Sequence, residues 1–296
     1  MLRRSAGDRV IDLLIYLLLI VIGVITLYPF INILAISLND AADTVKGGVY
    51  LWPREFTLDN YKTVFGYPQL LTAAKVSFLR TVIGTALSVF SSAMLAYTLS
   101  RKDFVFRKPF TILFILTMYF SGGMVPEYFL IRDLKLIGNF WVYILPGLIG
   151  AWNVIVLRSY IDGLPISLQE SAQLDGANDF VIFTRIILPL AVPVIATIAL
   201  FVAVFQWNSW FDTFLYASSD KNLTTLQYEL MKILQNTNTS MNSDSWRTGS
   251  NQQGSRVSPQ SIRATITIVA TVPILIVYPF MQKYFVQGLT LGAVKS

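Results

Sequence analysis

The sequence predicts an all-α, polytopic membrane protein, and three observations carry that expectation. Hydrophobic residues make up 54% of the chain and charged residues only 14%, with mean hydropathy +0.57. An ordinary soluble domain carries about 25% charged residues. The apolar residues gather into six runs, 10–36, 76–99, 110–131, 139–157, 190–216 and 264–286. Each is near the roughly 20 residues that carry a helix across a hydrocarbon core about 30 Å thick. The charges fall mostly in short segments flanking these runs, where orientation signals sit. We therefore expect one transmembrane domain over 1–296, with six membrane helices and a short cytoplasmic helix between the fourth and fifth.

The first run follows Arg3, Arg4 and Arg9. Its apolar stretch from Ile11 to Ile36 is too long for the 7–15-residue core of a secretory signal, so we read it as a retained membrane helix, ending at the Tyr28-Pro29 break. The following loop holds Gly47-Gly48 and Trp52-Pro53. These predict turns, and a Trp anchored at headgroup level. The second run places Gly84, Ser88, Ser91, Ser92 and Ala96 near helical spacing on one face. Small residues let helices approach closely in lipid. The face fits packing within this chain, or contact with a second membrane subunit. The third run ends in Ser121-Gly122-Gly123-Met124-Val125-Pro126. That segment is either an outer helix end or a broken helix facing a pathway.

Charge sets the orientation. Arg101, Lys102, Arg107 and Lys108 lie in a short loop close to membrane helices, where positive charge stays cytoplasmic. With six spans this puts both termini and the second and fourth loops inside, and loops 37–72 and 217–261 outside. The polar tract 236–256, rich in Asn, Ser, Thr, Gln and Gly, reads as a mobile external loop. Net charge is +6, but the positive residues form no single basic face, so nucleic acid is not an expected partner. There are no Cys and no His. This removes thiolate and imidazole metal sites and Cys- or His-based catalysis. No catalytic residue and no metal ligand is expected.

The fourth loop, 158–189, is the most informative segment. It reads Glu170-Ser171-Ala172, three residues, Gly176, nine residues, then Ile186-Ile187-Leu188-Pro189. Ser167-Leu168-Gln169-Glu170 fits a capping box, in which the Ser hydroxyl accepts from the Glu N–H and the Glu side chain reaches back. Leu168, Ser171, Ala172 and Leu174 continue a helix of about two turns, and Gly176 after Asp175 suits a left-handed stop. So short a helix is not stable alone and needs a contact. Phe180, Phe183, Ile186 and Ile187 follow at helical spacing, and Pro189 opens the fifth membrane helix.

This pattern resembles the coupling loop of the maltose-type branch of carbohydrate ABC importer permeases, the binding-protein-dependent inner-membrane components. Ala96–Arg101, Ser121–Pro126 and Leu157-Arg158-Ser159-Tyr160 with Leu164-Pro165 add to the likeness. Ser121-Gly122-Gly123 and the tail Gln287–Lys295 are like those of the oligosaccharide and complex-glycan branch. Ser171 stands where the family usually has Ala, which keeps the side chain small. The resemblance implies a sugar-import subunit of the bacterial cell membrane, paired with a second permease. Two cytoplasmic ATPase subunits and an external substrate-binding protein would complete the importer. ATP and Mg would reside on the ATPases, since this chain has no phosphate-binding G-x-x-x-x-G-K-[ST] loop and binds no cofactor of its own. Glu170, Ser171, Ala172, Asp175, Gly176, Leu188 and Pro189 would couple to an ATPase.

Gln206, Trp207, Asn208, Trp210 and Asp212 cluster near the outer end of the fifth run. Polar groups at membrane depth face a cavity or a partner, and aromatic planes beside amides suit sugars. Aromatics also accumulate at interfaces without any substrate. Tyr119 and Asn153 are further candidates for the path. The competing reading is a secondary transporter of a small polar solute. It would need intramembrane carboxylates or matched broken helices, and Asp12 and Asp212 both fall near span ends. A membrane-embedded enzyme would need paired catalytic groups that the runs do not contain.

Overall fold

A computed structural model describes residues 6–242 and 258–293, the side chains of 6, 8, 9, 236–242 and 280–293 excepted. The described residues are mostly helical, with one isolated antiparallel bridge between Asn39 and Phe56. In chain order the helices are α1 (Ala6–Ser37), α2 (Ala41–Val45), α3 (Asp59–Phe65), α4 (Leu70–Ser100), α5 (Arg107–Tyr119), α6 (Met124–Asp133) and α7 (Ala151–Asp162). There follow α8 (Ser167–Leu174), α9 (Asp179–Ile182), α10 (Leu188–Leu190), α11 (Val192–Asn208), α12 (Leu226–Asn242) and α13 (Pro259–Ala293). A 3-10 turn occupies Phe140–Tyr143, and π-helical turns occupy Phe183–Ile187 and Thr213–Ala217.

Within α1, Val10–Ser37 is long and apolar enough to cross a membrane, as are α4 and Pro259–Pro279 of α13. Among the described residues three helices, or up to five spans with each of two bent pairs counted as one, have the length and composition of a crossing. The run 110–131 is one such pair, α5 and α6, bent by 119°. Phe120 to Gly123 is non-helical, and Gly123 sits at φ +84. The run 139–157 is not one helix. Pro146, Gly147 and Gly150 interrupt it, and only Ala151–Asp162 is α-helical. The run 190–216 holds one straight helix of 17 residues and then breaks at Ser209. Its first-turn proline is Pro193, not Pro189. Pro189 lies in the preceding helical segment Asp179–Leu190, which meets α11 at 82°. Pro193 cannot donate to the carbonyl four residues earlier, so the ladder opens there.

Two other expectations are corrected. α1 does not end at Tyr28-Pro29 but continues through Pro29 to Ser37. One lost backbone bond is tolerated in an apolar helix. The segment 217–261, expected as an external loop, is not all loop, because α12 occupies Leu226–Asn242. Residues 243–257, with Arg247 and Arg256, lie outside the described residues, as do Arg3, Arg4 and the side chains of the tail motif.

The chain divides into two compact units. One comprises 1–68 and 232–272, the other 69–231 and 273–296. In the second unit α4 packs against α7 and α11. Gly84, Ser88, Ser92 and Ala96, four residues apart, are all buried. The small-residue face therefore serves packing within the chain. Apolar helices in lipid gain little from water exclusion, so close approach is what holds them. The core around this contact includes Ala93, Tyr97, Val154, Leu157, Phe183, Ile187 and Ile198. Tyr97 stacks on Phe183 at 5.6 Å. In the first unit α1 has no buried residue across its apolar window.

Candidate functional site

The short helix expected in the fourth loop exists as α8, Ser167–Leu174, and none of its residues is buried. Its start differs from the capping box. Ile166 is the N-cap residue, in helical conformation, and accepts from the Glu170 N–H at 3.1 Å. Ser167 is already helical, so its hydroxyl cannot turn back to cap. The Ser171 hydroxyl instead donates to the Ser167 carbonyl at 2.8 Å. The helix end follows the sequence reading. Gly176 has φ +81, its N–H donates to the Gln173 carbonyl at 3.0 Å, and the Ala177 N–H donates to the Ala172 carbonyl at 2.9 Å. That pair of bonds is the Schellman closure, which needs a residue able to take positive φ. Glu170, Ser171, Asp175, Gly176 and Pro189 are exposed, while Ala172 and Leu188 are half-buried against the core.

Arg101, which the sequence marks only as an orientation charge, ties this helix to the end of α4. Its guanidinium forks onto Asp103 at 3.0 and 2.9 Å and donates to Gln169 Oε1 at 3.3 Å. Asp179 lies 3.5 Å away. With its amide oxygen turned inward, Gln173 accepts two more bonds at 3.0 and 2.8 Å. The bond to Arg101 holds the Asp103 carboxyl below the usual range, and the same bond raises Arg101. Beside this clamp lies a groove of about 320 Å³, walled by Arg101, Lys102, Asp162, Gln169, Glu170 and Gln173 among others. The i, i+3 and i+4 pattern of Gln169, Glu170 and Gln173 on one helix face was the available signal for Arg101's partners.

The second cluster is built on Arg80, which lies within the second run and is 1% exposed. Its Nε and Nη2 donate to Gln206 Oε1 at 3.1 and 2.8 Å. Nη1 and Nη2 reach the two Asp212 oxygens at 3.2 and 2.5 Å. The guanidinium also lies 4.5 Å from the centre of the Tyr143 ring. The Gln206 amide donates to the Tyr143 carbonyl at 3.2 Å. Gly84 makes room for it, because a Cβ there would stand 2.7 Å from Gln206 Nε2. A charge inside an apolar run must find a partner. That rule, applied to Arg80, was enough to look for Asp212.

Of the expected path residues, the structure thus joins Gln206 and Asp212 on Arg80. Gln206 is 4% exposed and faces protein. Trp207 is half-buried. Asn208 donates to the Val204 carbonyl and accepts from Gln227. Trp210 meets Phe211 edge-on at 5.7 Å. Tyr119 is 80% exposed at the end of α5. The Asn153 amide fills the space left by the missing side chain of Gly150.

Comparison with known proteins agrees with this architecture. A profile for the binding-protein-dependent transport system inner membrane component matches residues 78–291. The polygalacturonan/rhamnogalacturonan transport system permease protein YtcP of Bacillus subtilis (strain 168) is 41% identical over 98% of this chain and 99% of its own. Protein LplC of the same organism is 38% identical over 100% of this chain and 98% of its own. Among solved structures, a chain of a bacterial ABC transporter involved in the import of the acidic polysaccharide alginate superposes with TM-score 0.83 at 30% identity. That match covers 96% of this chain and 100% of that one. With the profile spanning α4 to α13 and relatives aligned end to end, the chain belongs to the family of binding-protein-dependent transport system inner membrane components.

Proposed function

We propose that this permease component of a carbohydrate ABC importer pairs with a second permease to enclose the path for an oligosaccharide or polysaccharide. It takes its movement from two cytoplasmic ATPase subunits docked at α8, and receives substrate from an external binding protein. ATP and Mg belong to the ATPases. The observation that carries the reading is the exposed helix Ser167–Leu174 with its left-handed stop at Gly176, inside a chain of this family. The sugar class is supported by the relatives' own names, one for polygalacturonan and rhamnogalacturonan, and by the alginate importer. The family leaves the secondary-transporter alternative without support.

In this reading the chain crosses the membrane six times, with both termini cytoplasmic. The crossings are α1, α4, the bent pair α5 and α6, α7, the bent segment ending in α11, and α13. Glu170, Ser171, Ala172, Asp175 and Gly176 meet the ATPase, and Leu188 and Pro189 carry its displacement toward α11. Gln206 and Asp212 brace the wall of the path through Arg80. Trp207, Asn208, Trp210, Tyr119 and Asn153 are its candidate contacts with sugar. ATPase closure on nucleotide and re-aiming of the cavity are then two biases on one two-state element.

The test is Glu170→Lys in the assembled importer. Because Glu170 is exposed, the variant should reach the membrane at wild-type level. Recovery of ATPase subunits with the complex should fall by about tenfold, equivalent to ~1.4 kcal/mol of docking, and transport should fall with it. Wild-type uptake with wild-type ATPase recovery would remove α8 as the docking element.

A further inference from the structure

The segment Leu157-Arg158-Ser159-Tyr160 lies near the end of α7, and Arg158 joins a polar node there. Its Nε stands 3.4 Å from Asp162 Oδ2, one turn later on the same helix. Arg107 Nη2, from the first residue of α5, donates to that same oxygen at 3.5 Å. Arg158 Nη1 donates to Thr111 Oγ1, also on α5. The Thr111 hydroxyl proton goes to the Arg107 carbonyl at 2.6 Å, which leaves its oxygen to accept from Arg158. Two residues of α7 therefore hold two residues of α5.

The rest of α5 is held by little else within this chain. Arg107, Thr111 and Phe114, at i, i+4 and i+7, are its half-buried residues, and the others are exposed. Phe114 packs against the core. Among the described residues no other side chain of α5 forms a hydrogen bond or ion pair outside the helix. The helix is thus attached through its first two turns, and from Ile115 to Phe120 every residue is exposed within this chain.

The other side of the node leads to α8. Only residues 163–166 separate Asp162 from Ser167. The Gly163 and Leu164 N–H groups donate back to Tyr160 and Ile161 at 3.0 Å each, and the Leu168 N–H donates to the Pro165 carbonyl at 3.3 Å. Pro165 has a fixed φ, and Leu164 packs against the core. So short and bonded a link has little slack. Asp162 also lines the groove beside α8.

We propose that Asp162 and Arg158 pass the displacement of α8 to α5, with Arg107 and Thr111 as the positioning residues that receive it. Each bond alone is weak at this exposure. Together they are the polar attachment of a helix that the core grips at one ring, so moving Asp162 re-aims α5 about its cytoplasmic end. Coupling of this kind needs a contiguous physical link and an element with two arrangements. The inference rests on ATPase docking at α8.

The chain has no cysteine, so Leu71→Cys on α4 and Met118→Cys on α5 place two spin labels in the assembled importer. In the otherwise unchanged chain, Mg with a non-hydrolysable ATP analogue should change their separation by more than about 2 Å, the scale of helix shifts in such transitions. Arg107→Gln with Thr111→Val cuts both ties to α5 and leaves α7 and α8 intact. It should recover ATPase subunits at the unchanged level and lose the distance change. Arg107→Lys with Thr111→Ser, which keeps a cation and a hydroxyl, should restore most of it. Phe78→Cys with Ile115→Cys is the second label pair, should the first assemble poorly. A distance change that survives the Gln and Val substitutions overturns the proposal, as does one that the Lys and Ser pair fails to restore. Loss of ATPase recovery in the Gln and Val variant also overturns it, because the node then serves docking. An α5 that stays still in the unchanged chain, while Glu170→Lys still loses its ATPases, counts against this inference alone. ATPase recovery that survives Glu170→Lys counts against docking at α8 instead.

Discussion

Gly176 and Gly84 are held for different reasons, and each makes a prediction. Gly176 sits at φ +81 with open space around its Cα, so only backbone strain opposes a side chain there. Left-handed backbone costs an ordinary residue about 1–2 kcal/mol, and a β-branched one more, while Asn tolerates it. Gly176→Val should therefore lose most transport per molecule in the membrane, and Gly176→Asn should keep most of it. Equal transport by both would detach the helix stop from function. Gly84 has ordinary backbone but no room, with Gln206 Nε2 2.7 Å from where a Cβ would be. Gly84→Ala should push the amide off Arg80 and cost ~1–3 kcal/mol, seen as a lower melting temperature of the purified subunit complex. Asp103 adds a pH statement. Its folded pKa is depressed by Arg101, so its contribution is complete above the unfolded value near 3.8 and is lost as pH falls through the lower folded value. The clamp is consequently constant across neutral pH.

Two ties between elements decide how α8 and α11 are held. α8 has eight residues and no buried side chain, too few for independent stability. Arg101 supplies a contact from the end of α4 through Asp103, Gln169 and Gln173. Arg101→Ala should leave ATPase subunits bound but break the link between hydrolysis and uptake, with sugar moved per ATP falling about tenfold. Arg101→Lys should fall between, since an ammonium cannot fork onto a carboxylate. An unchanged ratio in both would mean that α8 moves the membrane helices without the Arg101 clamp. The other tie is Arg80 with Asp212, which fastens α4 to the segment following α11. Removing one partner of a buried pair typically costs ~3–5 kcal/mol. Asp212 is partly exposed, so Arg80→Leu should fall at the lower end of that range. Arg80→Leu with Asp212→Leu should be more stable than the sum of the single changes, which a double-mutant cycle in detergent would measure.

For the whole molecule the open question is direction, and protease access decides it. With Arg101, Lys102, Arg107 and Lys108 in one short loop, the charge rule places that loop in the cytoplasm. Protease added outside intact protoplasts should cut near Arg247 or Arg256 and spare Arg101. The reverse pattern would invert the chain and put Glu170 where no ATPase could reach it. The number of crossings is a related matter. Three straight helices and two bent pairs meet the length and hydropathy of a span, and α7, with 12 residues, does not. At 1.5 Å per residue α7 covers about 18 Å. The sixth crossing therefore depends on the non-helical residues 144–150 being shielded by protein, as backbone at membrane depth must be.

The helical membrane class and the short helix after Pro165 were legible in the sequence because each rests on a local or compositional rule. Twenty apolar residues predict a span, four small residues at a period of four predict a packing face, and a glycine after Asp175 predicts a left-handed stop. The capping box was misread because Ser167 has the right residue type, while the helix had already begun at Ile166. Sequence spacing does not report backbone angles. The bends at Gly123 and Ala191 were signalled by glycine and proline, but their size depends on what each half packs against. The pairings were out of reach for a stronger reason. Arg80 and Asp212 are 132 residues apart, and Arg101 and Gln169 are 68 apart. The sequence by itself determined that a charge in an apolar run and a two-turn helix must each have a partner, because desolvation and nucleation are costs that any fold has to offset. Only the tertiary structure decided which residues those partners are, because helix packing chooses among many distant candidates of equal chemistry.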